Sequence, residues 1–508
     1  MRALAARASA LTCAIALAAC GTHGSATGAA GAASAAAATA GGGGSAVAAR
    51  VPDGNWLQFN YNAQRTGVGP AATGINAGNL RRLSARVVHL PGTVDGSVIA
   101  LRDVRVGGRA RDVLIMTTTY GRTLAIDART GRGLWEYTPA DIGSYQGSAQ
   151  ITTATPTADP SRAYVYATSP DGYVHKLKVS NGHQLWETKV TLVAQREKLA
   201  SPPTVEGSSL IVVTDGYFGD APPYQGHVVS LSLATGRIQH VFNTLCSDRR
   251  FIQVPSTCGG SDSAIWGRAG AVLVPGSGDI LVSTGNGPFN GSTDWGDSVL
   301  ELAPYATGLL HNYTPTNQVQ LSSGDQDLGS TSPALLPDPG GPPLIVQGGK
   351  DAQLKLLDLD RLDGTSGPAS ARTGGALQML PTPGGGQMFT APVVWVHSGH
   401  TYLFVADGSG TAEYLLHSGS HPRLVAGWSN GTAGTSPVLA GGLLYVYDPG
   451  GTLDVYSPTS GHLLHSFSAS PGHWNSPIAV GGRVVLPVGS GNDHSTSGRL
   501  YIWHLPGR

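Results

Sequence analysis

The chain after Val51 is dominated by short apolar runs that alternate with turns rich in glycine, asparagine and aspartate. One recurring unit consists of an apolar strand, a turn containing Thr-Gly or an equivalent pair, and a second strand that often carries a tryptophan. Copies of this unit occur at 125–135, 177–186, 231–236 and 455–461. Glycine permits the positive φ that such hairpin turns need. The tryptophan is expected to pack between neighbouring sheets, where its large apolar surface can be buried.

A second recurring element marks where each unit begins: a small residue, usually Ser or Thr, then a proline and an apolar run. It is found at Thr155-Pro156, Ser201-Pro202, Ser332-Pro333, Ala391-Pro392, Ser436-Pro437 and Ser476-Pro477. Proline suits the start of a strand, because its missing N–H does least harm there. Most units lie about 40–60 residues apart, a spacing typical of propeller blades. The pattern predicts an all-β, eight-bladed β-propeller of four-stranded antiparallel blades, with the least obvious blade at 263–315, and seven blades is the alternative.

Composition agrees with this fold and narrows the range of partners. The 508 residues include 72 glycines and 33 prolines, and only 13% are charged, which suits short strands joined by many turns. Basic and acidic residues balance at 32 each, and the chain contains no basic block. It therefore lacks the electrostatic footprint of a protein that binds nucleic acid.

The first 19 residues predict an export signal. Arg2 and Arg7 precede an apolar run at 8–19 that is too short to cross a bilayer. The run ends in the sequence LAACG at 17–21, which resembles the bacterial lipobox. This resemblance implies cleavage before Cys20, acylation of its thiol, and an exported protein anchored by lipid to the outer side of a bacterial membrane. An ordinary signal peptide with a chance cysteine is the alternative.

Two further features follow from this expected processing. Residues 20–50 are mostly glycine, alanine and serine, so they are expected to form a flexible tether before a propeller at 51–508. With Cys13 in the removed signal and Cys20 acylated, only Cys246 and Cys258 are left. In a chain exported to an oxidising compartment, this pair predicts a disulfide. Two free buried thiols, or a metal site, are the alternatives.

Several segments after Asn55 carry a family resemblance that covers nearly all of the remaining chain. They are Trp56, Asn60, Arg65-Thr66-Gly67, Ile75-Asn76, Asn79-Leu80, 283–287, 297–302, Asp325-Gln326-Asp327 and Gly349-Lys350-Asp351. In these segments and in its repeats, the chain resembles the pyrroloquinoline-quinone (PQQ) propeller family. That family includes quinoprotein alcohol dehydrogenases and non-enzymatic lipoproteins such as the outer-membrane assembly propeller.

The resemblance implies roles for four residues. Asn286 and Asp327 would be metal ligands, Asp325 the catalytic base, and Lys350 a contact of the quinone. The implied cofactor is PQQ with calcium or a lanthanide, and carboxylate and amide oxygens are ligands that hard cations such as calcium prefer. The alternative interpretation is that all four are ordinary turn and strand-end residues.

Two departures from the dehydrogenase pattern weigh against the cofactor. The chain has no pair of adjacent cysteines. The stretch at 215–220, where the family has a glutamate that binds the metal, contains no glutamate. Two hypotheses therefore stand. The favoured one is a non-catalytic propeller of the cell envelope that binds an envelope protein, a glycan or a small molecule through a face or its central funnel. The alternative is a metal- and PQQ-dependent dehydrogenase that oxidises an alcohol or a sugar.

Overall fold

Residues 54–507 are described by a computed structural model, in which eight four-stranded antiparallel sheets form the blades of a propeller. We number the blades along the chain and give the strands of each from the first, at the centre, to the fourth. Blade 1 contains Ile99–Val106, Arg109–Thr117, Thr123–Asp127 and Gly133–Tyr137; blade 2 contains Thr157–Ala158, Tyr164–Thr168, Tyr173–Lys178 and Gln184–Lys189; blade 3 contains Thr204–Glu206, Ser209–Val213, His227–Ser232 and Ile238–Asn243; blade 4 contains Val272–Leu273, Ile280–Ser283, Val299–Leu302 and Leu309–Tyr313; blade 5 contains Ala334–Leu336, Leu344–Gln347, Gln353–Asp358 and Gln378–Pro381; blade 6 contains Val393–His397, His400–Ala406, Thr411–His417 and Arg423–Asn430; blade 7 contains Val438–Ala440, Leu443–Asp448, Thr452–Tyr456 and Leu463–Ser468; and blade 8 contains Ile478–Val480, Arg483–Val488, Gly498–His504 and Ser84–Leu90. The predicted eight-bladed β-propeller is confirmed, and the blade expected at 263–315 is blade 4.

Blade 8 closes the ring, because it combines strands from both ends of the described chain. Its fourth strand, Ser84–Leu90, pairs antiparallel with Gly498–His504, with Val88 opposite Leu500. Closure of this kind leaves no open edge between the first blade and the last.

Few other regular elements occur within residues 54–507. A two-stranded ribbon pairs Glu197–Lys198 with Asp215–Gly216, and it joins the segment before blade 3 to a loop of that blade. The short helices are Ile142–Tyr145 and Gln318–Ser323, and the 3₁₀ helices are Leu80–Arg82, Pro255–Cys258, Pro304–Ala306, Leu328–Ser330, Leu359–Arg361 and Gly491–Asp493. None of the helices in this part of the chain is long and apolar enough to span a bilayer.

Burial falls from the central strands to the outer ones, and this explains the hydrophobic pattern of the sequence. The second strand of blade 3, Ser209–Val213, is buried along its whole length. The fourth strand of blade 2, Gln184–Lys189, alternates between half-buried and exposed positions. A strand covered on both faces by neighbouring blades needs apolar residues at nearly every position, whereas an outer strand needs them only at every second one.

Tryptophans on outer strands connect neighbouring blades, as the sequence predicts. The indole N–H of Trp135, on blade 1, donates to the carbonyl oxygen of Val179 in blade 2 at 2.8 Å. Its ring covers the turn glycine Gly182, where a Cβ would lie only 2.6 Å from the indole. This glycine is therefore required by close approach as well as by its φ of +73°. The same arrangement joins Trp186 to Gly236 and Trp428 to Gly461.

The segment at 55–69 lies against the first strands at the centre of the propeller. Its backbone hydrogen bonds reach the first strands of blades 1, 2, 4, 6 and 7. Arg65 lies within it and is buried. The guanidinium donates to the carbonyl oxygen of Phe59 at 2.9 Å and to that of Pro203, next to blade 3, at 3.1 Å. Arg65 thus ties the segment both to itself and to a blade.

The predicted disulfide between Cys246 and Cys258 is present, and it closes a loop between blades 3 and 4. Its two cysteines are 12 residues apart. The predicted signal at 1–19, the lipidated Cys20 and the tether at 20–50 lie outside the described residues.

Candidate functional site

A cavity of about 520 Å³ lies around the propeller axis, and we call it the axial cavity. Seven of the eight blades contribute to its wall. Each lining residue comes from one of two places in a blade, either the segment before the first strand or the loop between the second and third strands. Loops from many blades converge at this end of the channel, which is where propellers commonly bind ligands.

The four site residues predicted from the family resemblance all line this cavity. The Nδ2 amide of Asn286 donates to Oδ1 of Asp325 at 3.0 Å, and the Asn286 backbone N–H donates to Oδ1 of Asp327 at 2.6 Å. The Lys350 ammonium lies 2.8 Å from Oδ1 of Asp325 and 2.5 Å from Oδ2 of Asp327. One loop of blade 4 and two segments of blade 5 therefore meet in a single hydrogen-bonded cluster, which we call the lysine–aspartate cluster.

The two aspartates of this cluster differ in environment. Burial by itself would raise the pKa of Asp325, but hydrogen bonds from Lys350 and Asn286 outweigh it, so the pKa of this exposed carboxyl lies below its usual value. Asp327 is nearly buried, and burial raises its pKa despite the nearby ammonium. Burial would lower the pKa of Lys350, but the charges of Asp327 and Asp325 raise it overall. The ammonium is therefore held in its charged form.

Three aromatic rings form a platform in the wall of the axial cavity. Trp266, Phe389 and Trp474 contact one another, with ring centroids 5.9 to 6.2 Å apart. All three are half-buried, so part of each ring faces the cavity. The Lys350 ammonium lies 5.2 Å from the centroid of the Trp266 ring, within the range of a cation–π interaction. The platform thus adjoins the lysine–aspartate cluster.

A buried lysine faces the same cavity from the ribbon of blade 3. Lys198 is only 7% exposed, and among the described residues its ammonium makes no hydrogen bond or salt bridge. Its cross-strand neighbour is Asp215, whose pKa burial raises to about 7. Burial also lowers the pKa of Lys198, although Asp215 and Asp95 act in the opposite direction. A buried ammonium without a partner is costly unless a ligand or water completes its hydrogen bonds.

A network behind the platform fixes the position of Trp474. Asp95 accepts hydrogen bonds from His473 at 2.8 Å and from the Trp474 backbone N–H at 3.1 Å. The buried Arg268 guanidinium lies 5.1 Å from the centroid of the Trp474 ring. Burial would raise the pKa of Asp95, but His473 and Arg268 lower it overall, so this carboxylate is ionised.

The platform was not predicted from the sequence, yet the repeats contain a signal for it. Phe389 lies three residues before Pro392, and Trp474 lies three residues before Pro477. Thr153 lies three residues before Pro156 and also lines the cavity. The third position before the opening proline thus faces the axis in blades 2, 6 and 8. Two large aromatics at that position would have indicated a ligand platform.

The side chains present do not fit a metal at the lysine–aspartate cluster. The Lys350 ammonium already lies between the two carboxylates that a cation would bridge. The Oδ1 atom of Asn286 is buried and has no partner within residues 54–507, so the cluster still holds one suitable oxygen. Elsewhere in this range, the one group of three metal-binding side chains is Cys246, Cys258 and Asp294, and its cysteines are bonded to each other.

An anionic quinone fits the axial cavity no better. Five aspartates line the cavity, against two lysines and one histidine. A quinone that carries negative charge needs basic partners or a metal, and here the better exposed lysine is already paired with two carboxylates. The chain also has no adjacent cysteines to cover a quinone ring.

Comparisons with known proteins agree with the repeats and the fold. The family model for outer membrane protein assembly factor BamB matches residues 121–309. No curated protein matches the chain. Among solved structures, the quinohemoprotein alcohol dehydrogenase of Comamonas testosteroni is similar at 15% identity, with a TM-score of 0.63 over 90% of this chain and 81% of that chain. The quinohemoprotein alcohol dehydrogenase ADHIIG of Pseudomonas putida HK5 has 14% identity and a TM-score of 0.66 over the same shares.

A europium-containing methanol dehydrogenase is similar at 15% identity, with a TM-score of 0.63 over 89% of this chain and 98% of that chain. At such identities these likenesses concern the fold alone. The family model, in turn, covers blades 2 and 3 and parts of blades 1 and 4. The eight blades thus share the fold of these PQQ-type propellers, and the repeats at 121–309 are similar to those of the BamB family model.

Proposed function

We propose that this protein is a non-catalytic propeller of the cell envelope that binds a neutral or amino sugar in its axial cavity. The observation that carries the proposal is the platform of Trp266, Phe389 and Trp474 beside polar groups with unused hydrogen-bonding capacity. The apolar face of a sugar ring packs on aromatic rings, while its hydroxyls need hydrogen-bond partners at the edge. The Lys198 ammonium and the carboxylates of the wall would supply them.

Charge decides which sugars fit. The excess of carboxylates over lysines in the cavity wall disfavours anionic ligands, so it opposes uronic acids for the same reason as it opposes an anionic quinone. A neutral hydroxyl can accept a hydrogen bond from Lys198, and the amine of an amino sugar can donate to the wall aspartates. We therefore expect glucosamine and N-acetylglucosamine to bind better than glucuronic acid.

Titration of the protein with these three sugars tests the proposal, with intrinsic tryptophan fluorescence and calorimetry as readouts. Trp474→Ala should weaken binding of the preferred sugar by about tenfold, because it removes one ring of the platform. Trp395→Ala is the matched control, since Trp395 lies outside the cavity lining and stacks on His397. Its affinity should equal that of the wild type.

The dehydrogenase alternative makes the opposite forecast in the same assay. Micromolar binding of PQQ in the presence of calcium or a lanthanide, together with dye reduction driven by an alcohol or a sugar, would contradict the proposal. So would a lack of binding to any of the three sugars at millimolar concentrations. The visible spectrum after incubation with PQQ reports cofactor binding independently of turnover.

The envelope location is part of the proposal and rests on the sequence at 17–21. Cys20→Ala should move the protein from the detergent phase to the aqueous phase in a partitioning assay, because it removes the residue that would be acylated. Cys13→Ala, which changes the other cysteine of the N-terminal segment, is the control and should partition like the wild type. If the wild type itself stays in the aqueous phase, the lipid anchor is ruled out.

A further inference from the structure

The Lys350 ammonium lies where a cation would join two carboxylates. It is within hydrogen-bonding distance of Asp325 Oδ1, at 2.8 Å, and of Asp327 Oδ2, at 2.5 Å. Its side chain is only 14% exposed, which distinguishes it from a solvated surface lysine. The two aspartates come from the segment before blade 5, and the lysine from a loop of the same blade.

The oxygens around this ammonium form a set that suits a hard cation. Two carboxylates meet at the ammonium, and the Asn286 side chain contacts Asp325 through its amide nitrogen at 3.0 Å. Calcium and lanthanide ions prefer carboxylate and amide oxygens as ligands. The amide Oδ1 is buried and has no hydrogen-bond donor among the described residues, so it is free to act as a ligand. Asp327 is nearly buried as well, with a side chain 9% exposed.

A cation in this place would have to share it with the ammonium. Like charges a few ångströms apart repel strongly in a partly buried site. The ammonium also uses the carboxylate oxygens that a metal would need. The cluster is therefore complete without an added ion.

We propose that Lys350 is a built-in substitute for a metal ion: it closes the lysine–aspartate cluster to divalent and trivalent cations, and its removal turns the cluster into a cation-binding site. The lysine neutralises the two aspartates and holds the segment before blade 5 against a loop of the same blade, which a bridging metal would otherwise do. This inference does not depend on sugar binding, so either idea can fail alone.

Terbium titration of purified variants tests the proposal, because an indole close to a bound terbium ion sensitises its luminescence. Trp266 lies 5.2 Å from the Lys350 ammonium and is the expected antenna. Lys350→Gln should bind terbium at least about tenfold more tightly than the wild type and emit strongly. Lys350→Arg keeps the positive charge, so the lysine–aspartate cluster of this variant should still exclude terbium. Calcium should compete with terbium in the Gln variant.

Two double variants locate the new site. Adding Asp327→Asn to Lys350→Gln should abolish tight binding, because it removes a carboxylate ligand. Adding Trp266→Phe should abolish the sensitised emission while leaving the affinity measured by calorimetry unchanged. Lys350→Met also removes the ammonium and serves as a second opened variant, that is, one whose cluster can accept a cation, if the Gln variant folds poorly. Circular dichroism checks the fold of each variant.

Two results would overturn the inference. One is a wild-type protein that binds terbium as tightly as Lys350→Gln, with the same sensitised emission. The other is a pair of folded Gln and Met variants that bind terbium no more tightly than the wild type. A rise of the melting temperature with calcium in the opened variants, and none in the wild type, would support it through a readout without luminescence.

Discussion

Replacing Arg65 with methionine is expected to lower the free energy of unfolding by about 3 kcal/mol. The guanidinium is buried and donates to the carbonyl oxygens of Phe59 and Pro203. It also reaches Thr204 at the start of blade 3. Methionine can fill much of the same volume but donates nothing, so several buried acceptors would lose their partner. Equilibrium unfolding in guanidinium chloride measures the loss.

The physical reason for so large an effect is that hydrogen bonds alone hold this charge. Within residues 54–507, no carboxylate is among the hydrogen-bond partners of the Arg65 guanidinium, and burial lowers its pKa to about 9. Arg81→Met is the matched control, because Arg81 is an exposed arginine of the same N-terminal region. It should change stability by less than about 0.5 kcal/mol. Equal losses in the two variants would contradict the role given to Arg65.

The fold was largely predictable from the sequence, because each propeller repeat carries recognisable residues both in its central strands and in its outer strand. The outer-strand tryptophan and the turn glycine occupy fixed places in a repeat, and Trp135 over Gly182 shows why neither can vary freely. The apolar runs mark strands that are covered on both faces. The strand Ser84–Leu90 was harder to place, because its partner, Gly498–His504, lies at the other end of the chain.

The candidate site was predictable only in part. Asn286, Asp325, Asp327 and Lys350 were identified through resemblance, and nothing in their spacing shows that the lysine bridges both carboxylates. Such a contact depends on how the segment before blade 5 folds against the loop between the second and third strands of that blade. Lys198 was missed for a related reason. It lies in a polar stretch whose sequence is typical of a solvated turn. Only the strand pairing that sets Lys198 opposite Asp215 brings it to the cavity.

The interpretation of the family resemblance also changes once side chains are placed. From the sequence, the missing glutamate and the missing cysteine pair are the two reasons to doubt a quinone. The structure adds two independent reasons, the charge of the cavity wall and the position of the Lys350 ammonium. A single lysine can thus preserve the geometry of an acidic cluster while changing the ligands that it accepts.

Stability is expected to fall as the pH rises from about 5 to about 8, and Asp297 should account for the largest part of the fall. Asp297 is fully buried beside the lysine–aspartate cluster, and burial raises its pKa to about 8. Asp215 and Glu206 are raised to about 7 for the same reason. The native state keeps these protons where the unfolded chain has already released them. Stability present below the unfolded pKa is therefore lost as the pH approaches the folded pKa.

The loss from one such group cannot exceed about 1.4 kcal/mol per pH unit. Asp297→Asn should flatten the pH dependence of the melting temperature and raise stability at about pH 8, because the amide is neutral at every pH in this range. Its backbone φ of 48° is one that asparagine adopts readily. Asp103→Asn is the matched control, since Asp103 has a similar φ of 50° but lies on the surface. If the slope between pH 5 and pH 8 is the same in the wild type and in Asp297→Asn, Asp297 does not carry the buried proton.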